Sequence, residues 1–84
     1  MSIIHVAYGG RNEDLEFDDV FREDRLHSLG MTTKPLSQST NPETVKRALA
    51  IHYDVSYDEF DSHFVEVNPN GNITVRPNAK WGRG

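Results

Sequence analysis

The apolar positions fall into short runs with two different periods. Ile3 to Tyr8 is an apolar, β-branched run that stops at Gly9-Gly10, and Leu15 and Phe17 then alternate with Asp14, Glu16 and Asp18. This pattern predicts a hairpin, with a first strand buried on both faces and a second strand nearer an edge. Val20, Phe21, Leu26 and Leu29 fit one helical face that Gly30 would stop. Met31 to Thr40 carries Pro35 and many hydroxyl and amide side chains, which predicts a mobile loop over 31–40.

The clearest helix follows. Asn41 is placed to cap it, Pro42 suits its first turn, and Val45, Ala48, Leu49, His52 and Tyr53 recur with helical spacing. Ser56 and Glu59 have the spacing of a capping box, and Phe64 to Val67 return to a strand pattern. Asn70-Gly71 marks a second hairpin turn, after which Ile73 and Val75 alternate with Thr74 and Arg76. Pro77 lacks the N–H that a ladder needs and should end the last strand, leaving 78–84 as a tail.

The predicted order is β-β-(α)-α-β-β within one domain spanning 1–77. One helix stripe and one sheet face each need an apolar cover, and the chain supplies one of each. The expected fold is therefore α+β: a β-grasp with a mixed four-stranded sheet of two hairpins packed on one main helix, preceded by a short helix or loop insert. Its first and last strands would be adjacent at the centre. Val45, Leu49, Ile4, Val6, Phe17, Val65, Val67 and Val75 are the expected core.

Composition narrows the function. Nine Lys plus Arg against thirteen Asp plus Glu give a net charge of -4, which argues against direct nucleic-acid binding because phosphate contacts need a basic footprint. The absence of cysteine excludes disulfides and thiol chemistry. No apolar run approaches the roughly 18 residues of a membrane helix, so no membrane association and a cytoplasmic location are expected.

Candidate chemistry is sparse. His5, His27, His52 and His63 have no local spacing that pairs two rings for a metal. Asp54 to Val65 places Glu59 where a calcium loop needs Gly and Val65 where it needs a bidentate Glu. No nucleophile elbow or phosphate-binding glycine loop is present, and neither an enzyme nor a cofactor is expected. Glu13, Asp14, Glu16, Asp18, Asp19, Glu23 and Asp24 crowd one stretch, while the charges beyond Glu66 are Arg76, Lys80 and Arg83. The acidic stretch reads as a solvated face or as a docking face for a basic groove, the latter in the manner of a small acidic inhibitor or DNA mimic.

Asn41-Pro42-Glu43-x-Val45, the Asn70-Gly71 turn and the closing Arg76-Pro77-x-Ala79-x-x-Gly82 together resemble small prokaryotic ubiquitin-like proteins, similar to the PRTRC system protein C family. The resemblance covers roughly positions 40 to 84. It implies a non-enzymatic modifier or adaptor that meets protein partners, among them an activating enzyme, through its sheet face and its C-terminal Gly tail. The residues it points to are Ile73, Val75, Arg76, Trp81 and Arg83 for binding, and Gly84 for conjugation through its carboxylate. The familiar double glycine is absent, and Trp81 is bulky just upstream.

Overall fold

The structure is a computed structural model that describes residues 2–77. The first hairpin is made by β1, Ile3–Tyr8, and β2, Arg11–Glu16. Gly9 and Gly10 both hold positive φ, 62° and 80°, which is the type I′ turn whose twist matches that of the strands. Two single-turn helices follow, α1 at Phe17–Val20 and α2 at Glu23–Leu26, with 3-10 turns at His27–Leu29 and Ser37–Ser39. The long helix α3 spans Pro42–Tyr53. A 3-10 turn at Tyr57–Phe60 leads to the second hairpin, β3 at His63–Val67 and β4 at Ile73–Pro77.

The four strands form one mixed sheet in the order β2-β1-β4-β3. Both hairpins are antiparallel, and β1 and β4, the first and last strands, run parallel at the centre as expected. The helix α3 covers one face, as its side-chain pattern requires. Asn41 caps it by accepting the Glu43 N–H at 2.8 Å, and Asp54 ends it in the left-handed region. Ile4, Val6, Ile73 and Val75 from the sheet and Val45, Ala48 and Leu49 from the helix are buried together with Phe17, Val20, Phe21, Leu26 and Phe60.

Four expectations are corrected. β1 is buried on one face only, since Ile3, His5 and Ala7 remain half-exposed between buried Ile4 and Val6. Phe17 opens α1 rather than extending β2, and its ring stacks on Phe21 at 4.5 Å. The chain turns extended at Arg22, so Val20, Phe21 and Leu26 reach the core from two separate turns instead of one helix. Val65 and Val67 pack against the core but stay half-buried, because β3 is an edge strand.

The second turn also differs in form from the expected two-residue Asn-Gly turn. Gly71 donates its N–H to the Asn68 carbonyl at 2.9 Å, Asn68 donates to the Asn72 carbonyl at 2.8 Å, and only Gly71 takes positive φ, at 91°. That is the three-residue loop, a type I turn closed by a left-handed glycine. A Cβ at Gly71 would lie 3.2 Å from Ser37 Oγ. The 31–40 segment makes specific contacts: Lys34 pairs with Asp18 at 2.7 Å, Ser37 with Ser2 at 2.9 Å, and the buried Thr40 donates its hydroxyl to the Leu36 carbonyl at 2.6 Å.

Leu49 is fully buried between helix and sheet. Leu49→Ala is expected to lower the unfolding free energy by about 2–5 kcal/mol, most of what so small a domain has, as measured by urea denaturation.

Candidate functional site: the uncovered face of the sheet

The helix covers one face of the sheet, so strand alternation sends every second side chain to the other face. Because Ile4, Val6, Ile73 and Val75 face the helix, the outer face carries Ile3, His5 and Ala7 of β1 and Thr74 and Arg76 of β4. The registers Phe64↔Arg76 and Glu66↔Thr74 add Phe64 and Glu66 of β3, and His5↔Asp14 adds Asp14, with Asn12 and Glu16, of β2. One row across the sheet therefore reads Asp14, His5, Thr74, Glu66.

Phe64 is the apolar centre of this face at 53% exposure. The Arg76 guanidinium lies over its ring, 5.5 Å from the centroid, an arrangement worth about 0.5–1 kcal/mol at an exposed site. Beside Arg76 a shallow depression of about 290 Å³ runs along β1 and β4, lined by His5, Ala7, Asn12, Asp14 and Thr74. Its far wall is fixed by a hydrogen bond in which His5 Nδ1 and Asp14 Oδ1 stand 2.8 Å apart. The face thus offers a ring, a cation and a carboxylate around a groove, a combination suited to a protein segment with mixed apolar and charged side chains.

Two residues expected to bind partners are displaced from this face. Ile73 and Val75 are 0% and 1% exposed and point under α3, so their role is in the core. Arg76 does lie on the outer face. Trp81, Arg83 and Gly84 fall outside the described residues. Phe64, His5 and Thr74 were not anticipated here, although Glu66 alternates with Val65 and Val67 and therefore sets the phase that turns Phe64 outward.

The seven acidic residues are spread over β2, α1 and α2. Asp14 and Glu16 point out from the edge strand, whereas Glu13 points to the helix side, where it accepts the Tyr53 hydroxyl and an Arg11 N–H at 2.9 Å. Asp18 is paired with Lys34, and Asp24 lies 3.4 Å from Arg22. Asp19 and Glu23 project from the exposed sides of α1 and α2.

An aromatic cluster supports the end of the sheet behind this face. Tyr8 stacks on Phe60 at 4.8 Å, Tyr53 lies 5.2 Å from Tyr8, and His63 lies 4.9 Å from Phe60. Burial and the Glu13 carboxylate push the Tyr53 phenol up, and the same hydrogen bond, with Arg11, holds Glu13 below the usual carboxylate range.

His63 has a specific task. In a parallel pair the carbonyl of Ala7 would accept the N–H of residue 77, but that residue is Pro77, and pairing of β1 with β4 stops at Val6↔Val75. His63 Nε2 donates to the Ala7 carbonyl instead, at 3.2 Å. That bond makes the ring the Nε2–H tautomer and leaves Nδ1 buried without a partner. Burial then holds the imidazole below its ordinary value. His52 is also held low, first by burial and then by Arg25, whose guanidinium donates to its Nδ1 at 2.8 Å.

Among the described residues no group of His, Asp and Glu is placed to hold a metal ion. No protein-family model, curated protein or solved structure matches the chain.

The depressed histidines give stability a pH dependence of known sign. The unfolded imidazoles take up protons as pH falls through about 6.5 while the folded ones resist, so the unfolded state binds more protons and stability falls as pH drops from about 7 toward 5. The contribution of Glu13 is lost only in the lower, carboxylate range. His63→Gln, which keeps a donor for Ala7 but does not titrate, is expected to give a shallower loss of stability over that interval in urea denaturation at stepped pH.

Proposed function

We propose that this protein is a non-enzymatic β-grasp domain of the ubiquitin-like kind, an adaptor or modifier that binds a protein partner on the uncovered face of its sheet. Support for the fold reading comes from two hairpins flanking one long helix, with the first and last strands parallel and central. The single observation that carries the binding reading is Phe64, a large ring left half-exposed beside Arg76 and the groove along β1 and β4 on a sheet face that no helix covers.

A photo-crosslinker placed at Thr74 of the full chain tests this in a lysate of the source cell. A covalent adduct with a discrete second protein is expected. It should disappear when Phe64 and Arg76 are both changed to Ser, with melting shifted by no more than a few degrees, since both side chains are largely exposed. A crosslinker at Asp19 should give no adduct. Adducts at Asp19 and none at Thr74, vanishing with salt, would sink the sheet-face reading in favour of an acidic docking surface.

A further inference from the structure

The two open edges of the sheet are built differently. The Tyr8↔Arg11 pair flanks a two-residue turn, so β2 directs the backbone groups of Arg11, Glu13 and Leu15 to β1 and those of Asn12, Asp14 and Glu16 outward. Two of the three outward-directed residues carry carboxylates, which repel a like edge. At the other edge, Asn68 donates to the Asn72 carbonyl, and alternation from that pair directs the backbone groups of Phe64 and Glu66 to β4. The N–H and C=O groups of His63, Val65 and Val67 therefore point away from the sheet, and among the described residues none of the loop or cap backbone hydrogen bonds ends on them. Pro77 fits this assignment, because opposite His63 its nitrogen faces β1 and the β3 ladder loses no donor. β3 has no proline, lysine or bulge to blunt its edge.

We infer that a second copy of this chain pairs with β3 in antiparallel fashion about Val65, joining two sheets into one of eight strands. The outward groups restrict the register to those in which His63, Val65 and Val67 oppose one another. Centring on Val65 sets Val65 against Val65 and His63 against Val67 of the second copy, so each residue with free backbone groups meets another. A shift by one residue would set those groups against residues whose own groups are already used.

Charge selects the same register. It places Phe64 directly beside Glu66 of the second copy on the outer face, with Arg76 on the other side of Phe64 and its guanidinium already over the ring. Among the described residues neither Arg76 nor Glu66 has an ion-pair partner within the chain. In the dimer Arg76 reaches across Phe64 to Glu66 of the second copy, twice by symmetry, and covers the ring between them. This inference shares Phe64 and Arg76 with the adaptor reading but also needs the open edge of β3, so self-association and protection of the edge amides report on it separately from capture of a different protein at Thr74.

Sedimentation equilibrium of the full chain from about 10 μM to 1 mM tests it. A concentration-dependent dimer is expected. Arg76→Glu and Glu66→Arg should each raise its dissociation constant by about tenfold or more through like-charge contact, and the double exchange should restore it. Circular dichroism should show all three variants folded. In concentrated samples the amides of His63, Val65 and Val67 should exchange slowly, and on dilution quickly. A chain that stays monomeric at about 1 mM overturns the inference, as does a dimer that ignores both charge reversals. An edge whose amides are protected only by an added peptide of another protein overturns it as well.

Discussion

The parallel pairing of β1 with β4 is the constraint on which the rest of the molecule depends. It joins the first and last strands at the centre of the sheet, so both hairpins, the long helix and the intervening turns must fit inside one closed loop. A parallel pair cannot terminate itself, and here each end is closed by a side chain. At one end Ile3 donates its N–H to Asn72 Oδ1 at 2.9 Å, and at the other His63 donates to the Ala7 carbonyl. Both are buried or half-buried backbone groups whose loss to no partner would cost on the order of 1–3 kcal/mol. The two caps thus limit the central ladder to a short stretch without leaving its ends unsatisfied, and they tie both hairpins to it.

Much of this was legible in the sequence because local rules and tertiary packing agree. Asn41-Pro42 starts α3, Gly9-Gly10 turns the first hairpin, Gly30 takes positive φ at the end of a 3-10 turn, and Pro77 ends β4. The failures come where tertiary contacts decide. Val20, Phe21, Leu26 and Leu29 have helical spacing, yet Phe17, Val20, Phe21 and Leu26 all have to reach one small core, and the chain breaks at Arg22 to bring them there. The resemblance points to Ile73 and Val75 for partner binding, although an alternating strand can bury only one of its phases. With Ile4 and Val6 opposite them under the helix, that phase had to be theirs.

The outer face was less legible because no motif marks it. Its residues come from two hairpins that are far apart in the chain and meet only through register: His5 beside Asp14 and Thr74, Thr74 beside Glu66, and Phe64 beside Arg76. Charge counting along the chain grouped Glu13 with Asp14 and Glu16, but strand alternation places Glu13 on the opposite face, where Tyr53 and Arg11 engage it. A run of acids in sequence is a surface only when the backbone turns them the same way, and strand alternation takes Glu13 out of it.

The same reasoning separates what keeps this domain folded from what it offers to others. Phe60, Tyr8 and Tyr53 place their rings under the sheet, while Phe64 is held in the open by the phase that buries Val65 and Val67. Moving Phe64 inward would require a one-residue slip of β3. That slip would expose both valines, bring Glu66 toward the core and carry His63 away from the Ala7 carbonyl. The exposed ring is therefore a consequence of the register that closes the central ladder. A partner that covers Phe64 would stabilise an arrangement the fold already holds, and would gain apolar contact without asking the sheet to rearrange.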